Sequence, residues 1–177
     1  MARNQLTPQA SAVFQGRFEN LLASIETDIT QIKQQCNSRG LLFSSGTVRE
    51  IYGRVDATIS DLGKMASDSA KLAYEAGKHS FSENLESDLL DVFEDNFSLG
   101  YERLCAIRVS STQSIRDSLL NKQMHESDNY LDMAQRATIE GQLELRQYFQ
   151  LLKRSKKRWY EHIPFVAKLM LLFFKLH

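Results

Sequence analysis

The chain has 177 residues, of which 42% are hydrophobic and 25% are charged, so it is long enough for one domain with a sizeable core and does not resemble a disordered sequence. Its 22 Lys and Arg residues balance its 22 Asp and Glu residues, and this neutrality argues against a dedicated nucleic-acid-binding protein. Only two prolines and eight glycines occur. Because a chain with many strands needs more turn residues than this, we expect long helices.

The first helix is predicted to run from Thr7 to near Gly40. Thr7 is a suitable N-cap, Pro8 suits the first helical position, and apolar residues then recur at helical spacing. The residues before it lack the apolar core of a secretory signal. We therefore expect a cytoplasmic protein, or one that is peripheral at a membrane.

The two cysteines, Cys36 and Cys105, have neither zinc-type spacing nor a nearby histidine. We expect reduced thiols buried in helices, while the sequence leaves a disulfide between them open.

Two interleaved seven-residue series predict that the second helix packs through a coiled-coil-like seam. Toward the end of this seam the residues shrink to Ala and Ser, with Gly63 and Gly77 nearby, which lets a neighbouring backbone approach closely. We expect tight antiparallel packing there. The two series are Val48, Val55, Leu62, Ser69 and Ala76, and Tyr52, Ile59, Ala66 and Ala73.

A third helix is predicted after a break around His79, with Ser80 and Glu83 as a capping box. Its apolar residues recur at helical intervals opposite seven acids between Glu83 and Glu102, and the helix continues toward Leu120.

A fourth helix follows, and it is predicted to continue into a basic block. Its apolar outline is Tyr130, Leu131, Ala134, Ile139, Leu143, Leu145, Phe149 and Leu152.

Positive charge is concentrated at the end of the chain. From Arg146 onward, eight Lys or Arg residues face the single acid Glu161. Five of these cations form a dense block, namely Lys153, Arg154, Lys156, Lys157 and Arg158.

The segment after the basic block is strongly apolar. Trp159 could anchor it at a membrane interface, and Pro164 bends or restarts the chain before a helix with a narrow polar stripe. The apolar run between Lys168 and Lys175 has six residues, against about 20 needed to cross a bilayer. Apolar members of this predicted helix include Phe165, Leu169, Leu172, Phe173 and Leu176.

These elements predict an all-α fold, an up-down bundle of about four long antiparallel helices plus a C-terminal apolar helix. We assign residues 1–152 to the bundle and residues 153–177 to the basic block and the apolar helix, which can pack on the bundle.

The function that we expect is non-enzymatic. A basic segment beside an apolar helix suits docking on an anionic membrane surface, on a partner protein or on a second copy, and it equally suits a helix that closes the bundle. Nucleic acid is not expected as a partner, and no cofactor is expected. The alternative is a helical-bundle enzyme with a metal or acidic site near Glu75 and His79 or near His125 and Asp128, whose spacings place pairs of ligands on one helical face.

Overall fold

The computed structural model describes residues 3–77, 84–119 and 129–162, with side chains described in 6–77, 84–119 and 131–155. These ranges contain four helices and no strand, which confirms the predicted bundle. The predicted apolar helix after Pro164 lies outside the described residues. The helices are α1 (Arg3–Ser38), α2 (Ser45–Ala76), α3 (Leu85–Ser118) and α4 (Asn129–His162).

Contacts between side chains show that consecutive helices run in opposite directions, as the prediction requires. Along each pair of consecutive helices, residue numbers rise in one helix as they fall in the residues of the other helix that it contacts. The contacts that fix these directions are Cys36 with Glu50 and Asp28 with Arg54 for α1 and α2, Tyr52 with Arg116 and Leu62 with Gly100 for α2 and α3, and Phe93 with Gly141 together with Tyr101 and Ala134, which line one cleft, for α3 and α4.

The central helix is α2, which packs against each of the other three. Among the described residues, α1 and α4 barely meet, because they lie on opposite sides of the pair formed by α2 and α3. The predicted seam of α2 is buried except for its last member, Ala76. Residues on both flanks of the seam are also buried, Ile51 and Thr58 on one side and Gly63 and Ala70 on the other, since a helix with three neighbours needs a wider buried face than a single seam.

The small residues of α2 bring its backbone close to α4. A Cβ added to Gly63 would lie 2.8 Å from the carbonyl oxygen of Ala137 and 3.2 Å from the Ala137 Cβ. The close approach is as expected, but its direction is not. Further along, Lys71 pairs with Glu144, so residue numbers rise together and α4 runs parallel to α2. Gly63 therefore lets two helices of the same direction pack closely in an otherwise antiparallel bundle.

The start of α1 differs from the prediction. α1 begins at Arg3, so Pro8 lies inside the helix and Thr7 is not its N-cap. Leu6 and Ala10 are both buried, so the apolar face that packs on the bundle extends upstream of the proline. A proline this close to the helix start removes only one backbone hydrogen bond, and the burial of Leu6 offsets that loss.

The break between α2 and α3 lies where it was expected, although its predicted cap does not fall on described residues. α2 ends at Ala76 and α3 begins at Leu85, whereas His79, Ser80 and Glu83 lie outside the described residues. α3 continues through its polar run to Ser118, close to the predicted end. Both cysteines are free thiols, with Cys36 buried and Cys105 half-buried.

An ion pair is buried between α2 and α3. Asp56 and Arg108 are each 7% exposed as residues, with 3.4 Å between Arg108 Nε and Asp56 Oδ1. The Arg108 guanidinium also lies over the ring of Tyr52, 3.8 Å from its centroid. Burial raises the pKa of the Asp56 carboxyl, and the nearby Arg108 charge opposes that rise. Removing either partner would leave the other charge buried, so the pair ties α2 to α3 at one register.

Candidate docking site

The end of α4 projects beyond the other described helices. Tyr148 Oη donates a hydrogen bond of 2.9 Å to Glu75, and α2 ends one residue after that glutamate. The contact between Glu94 and Gln142 places the start of α3 level with about residue 151 of α4. α4 continues to His162, roughly 20 Å past Phe149 at 1.5 Å per residue. We call residues 150–162 the α4 overhang.

The overhang carries the predicted basic block. Lys153 and Arg154 are exposed, and Leu151 beside them is exposed as well. α4 crosses from Leu152 to Lys153 without a break, and the division of the chain at this point stays a prediction. Four further predicted site residues lie on α4 with side chains outside the described set, namely Lys156, Lys157, Arg158 and Trp159. Five others lie wholly outside the described residues, namely Phe165, Leu169, Leu172, Phe173 and Leu176.

Part of the apolar outline of α4 faces solvent. Ile139 is 64% exposed and Leu143 is 53% exposed. They begin a stripe with alternating spacings of four and three residues, which places all its members on one face of the helix. We call this row the outer stripe; its described members are Ile139, Leu143, Arg146, Gln150 and Lys153, and all five are exposed.

The buried face of α4 includes small residues among its described members, so it differs from the apolar outline. Ala137 and Gly141 are buried against α2 and α3, and Leu145 and Phe149 continue the same face. Ala and Gly contribute little to a hydrophobic pattern, so the larger Ile139 and Leu143 dominated the prediction. Leu145 and Phe149 belong both to the apolar outline and to the buried face.

Sequence reasoning also missed Arg146 as a site residue. It lies two turns before Lys153 on the outer stripe, so it extends the positive face toward the middle of the bundle. The spacing of seven residues between these two cations is the signal that could have identified it.

No acid neutralises the described part of this positive face. Between Leu145 and Ser155 the side chains include three cations and no Asp or Glu. The preceding acid, Glu144, is bound by Lys71 of α2. The outer face of α4 therefore changes along its length from apolar to positive.

Of the four residues predicted as possible metal ligands, one, Glu75, lies in the described part of the chain. Glu75 there accepts the hydrogen bond from Tyr148, and desolvation together with the Glu75 contact raises the pKa of the tyrosine. His79, His125 and Asp128 lie outside the described residues. Within the described ranges, no three His, Cys, Asp or Glu residues come together as metal ligands.

An apolar cleft lies between the first turns of α4 and the middle of α3. Its volume is about 360 Å³. Along α4 it ends near Ile139, which is roughly 35 Å from His162 at 1.5 Å per residue. Its main lining residues are Phe97, Tyr101, Leu131, Ala134, Thr138 and Ile139.

Hydropathy and comparison with known proteins complete the description of the site. Across the described residues, no helix has an apolar stretch of the length that crossing a bilayer requires. No family model, curated protein or solved structure matches the chain.

Proposed function

We propose that the protein is a helical scaffold that docks on an anionic membrane surface through the α4 overhang and the basic-apolar sequence that continues from it. The observation that carries this proposal is the overhang itself. It holds Lys153 and Arg154 in solvent, beyond the ends of the other described helices, where they can meet lipid phosphates.

The electrostatic contribution can be estimated from the basic block. Each Lys or Arg close to an anionic surface contributes about 1 kcal/mol, so the five cations of residues 153–158 contribute on the order of 5 kcal/mol at low salt. The apolar residues that follow supply a second source of affinity by entering the interface. Stable peripheral binding generally needs two such contributions, and this sequence places them side by side.

Distance argues against the apolar cleft as the place where the terminal segment packs. The 15 residues from 163 to 177 would span about 22 Å as a helix, whereas the near end of the cleft is roughly 35 Å from His162. The helix that the sequence predicts is therefore too short to reach the cleft of its own chain.

The test is binding of the full chain to vesicles of phosphatidylcholine with and without phosphatidylserine. We expect binding that requires the anionic lipid and weakens as salt is added. Lys156→Gln with Lys157→Gln and Arg158→Gln should weaken binding by removing charge. Phe173→Ser with Phe174→Ser should weaken it through lost insertion.

A matched control removes the same number of charges from other exposed positions. Arg17→Gln with Lys64→Gln and Arg136→Gln changes the net charge equally and should leave vesicle binding nearly unchanged. Equal effects of the two triple substitutions would show attraction by net charge alone and would contradict a localised docking site.

Truncation separates the remaining outcomes. If the full chain ignores anionic vesicles and a chain ending at Arg158 unfolds or aggregates, the terminal segment belongs to the core. If the truncated chain is stable and neither form binds vesicles, the terminal segment docks on a protein partner and not on a membrane. Either result overturns the proposal.

A further inference from the structure

The loop between α1 and α2 is held by a defined set of hydrogen bonds. Gly40 has a φ of 69° and ends α1, while Gly40 N donates to Asn37 O at 2.9 Å and Leu41 N donates to Cys36 O at 2.8 Å. These two bonds form a Schellman motif. On the other side of the loop, Ser44 caps α2, which fixes where the next helix begins.

A third bond closes the loop across its middle. Thr47 Oγ1 donates to the carbonyl oxygen of Leu41 at 2.7 Å, and Thr47 N donates to Ser44 Oγ at 3.3 Å. Thr47 itself is buried, so this connection is anchored in the bundle. Several polar groups of the loop thus have partners within the protein, which lowers the cost of moving those groups into a less polar medium.

Two large apolar side chains nevertheless face solvent on this loop. Leu41 is 50% exposed and Phe43 is 57% exposed. In a Schellman motif the residue at the position of Leu41 commonly packs back on the last turn of the helix. Here half of that side chain is left uncovered, and Phe43 adds to the same apolar tip.

The charge around this tip is positive. From Gln31 to Glu50 the chain contains three cations, Lys33, Arg39 and Arg49, and one acid, Glu50, which accepts a hydrogen bond from the Cys36 thiol, so the loop and its flanks carry a net positive charge. Arg39 and Arg49 are both exposed, one on each side of the apolar pair. Apolar residues bordered by cations match the interface of an anionic bilayer, where acyl chains lie beneath phosphates.

We propose that the α1–α2 loop is a second contact site for an anionic bilayer. Leu41 and Phe43 enter the interface, and Arg39 and Arg49 bind lipid phosphate groups. A second copy of the loop fits this tip less well, because a symmetric contact would bring like charges together. The inference does not rest on docking through α4, since the loop lies at the opposite end of the bundle and involves other residues.

The test places a fluorescent reporter on the loop of the full chain. Phe43→Trp in a Trp159→Phe background leaves one tryptophan, at the tip of the loop. On phosphatidylserine-containing vesicles we expect its emission to shift to the blue and to be quenched by brominated acyl chains. Leu99→Trp in the same background, at an exposed position on α3, is the control and should show neither effect.

Measurements of vesicle affinity test how much each part of the loop contributes to binding. Leu41→Ser with Phe43→Ser should weaken binding to anionic vesicles by roughly tenfold, since both side chains lose the surface that would be buried in the interface. Arg39→Gln with Arg49→Gln should weaken binding more than Arg17→Gln with Lys64→Gln, which removes the same charge elsewhere. The circular dichroism spectrum of each variant verifies that the bundle is intact.

The loop reporter also distinguishes this inference from the proposed function. Loop quenching that persists after the substitutions at residues 156–158 and 173–174 supports the loop site even if docking through α4 fails. A chain that binds vesicles while the loop tryptophan stays solvent-exposed overturns the loop site alone. A blue shift that depends on protein concentration without vesicles would replace the bilayer with a protein surface and also overturn it.

Discussion

Gly63 and Gly53 both lie in α2, and replacing each with alanine should change the stability of the protein in opposite directions. At Gly53 no heavy atom of the described residues lies within 4 Å of an added Cβ, apart from its chain neighbours and the backbone of its own helix. Gly53→Ala should therefore stabilise the protein by about 0.5–1 kcal/mol through helix propensity alone.

The same change at Gly63 gains that propensity but meets the backbone of α4. Its Cβ would lie 2.8 Å from the carbonyl oxygen of Ala137, so α4 must move away from α2. Overpacking of this kind costs about 1–3 kcal/mol. The two variants should therefore differ in unfolding free energy by about 1–3 kcal/mol, or by roughly 2–12 °C in Tm if each kcal/mol corresponds to about 2–4 °C for a chain of this size.

Urea unfolding followed by circular dichroism measures the free energy of each variant, and a thermal scan gives an independent comparison. A Gly63→Ala variant as stable as Gly53→Ala would refute the close approach of α2 and α4 on which this reasoning depends. Unequal m values would require a separate explanation, since they would indicate a change in the surface exposed on unfolding.

Other predictions concern the buried ion pair and the thiols. Arg108→Ala should cost about 3–5 kcal/mol in unfolding free energy because it leaves Asp56 buried without its partner, and replacing both residues with Leu should recover most of the loss; an unchanged free energy for Arg108→Ala would contradict the burial of the pair. Because burial raises the pKa of Asp56 above its usual 3.8, the folded state holds the proton more tightly, so the wild type should gain stability relative to Asp56→Asn as the pH falls from the raised pKa toward 3.8. Unfolding free energies of the two proteins that differ by the same amount at pH 7 and pH 4 would show that Asp56 titrates normally. A thiol reagent should label Cys105 before Cys36, and mass spectrometry of early time points would reveal the reverse order if Cys36 were accessible.

The sequence predicted those parts of the fold that depend on large side chains at regular spacing. The heptad series of α2 identified its buried face because Val, Leu and Ile recur along it. The buried face of α4 was harder to predict, because Ala137 and Gly141 have small side chains that let the backbones approach closely and add little to an apolar pattern. The pairing of Asp56 with Arg108 joins residues on different helices, and no local pattern connects them.

Some features of the two candidate sites could be predicted from the sequence and others could not. The basic block was visible in composition alone, but its position beyond the bundle depends on where α2 and α3 end against α4. Leu41 and Phe43 looked like ordinary loop residues, because the sequence does not reveal how much of each side chain the fold covers. Exposure is set by tertiary packing, which sequence periodicity reports only indirectly.

The near absence of contact between α1 and α4 has a mechanical consequence. Within the described residues each outer helix packs mainly on α2 and α3, so a load applied through the end of α4 acts on contacts that α1 hardly shares. Gly63 and Gly141 allow α4 to approach α2 and α3 closely, but they bury little apolar surface at these contacts. Under force, α4 should detach as one unit while α1, α2 and α3 stay folded, and its amides should exchange hydrogen earlier than those of α2. The helix that extends furthest from the bundle is thus also the one that can leave it at the lowest cost.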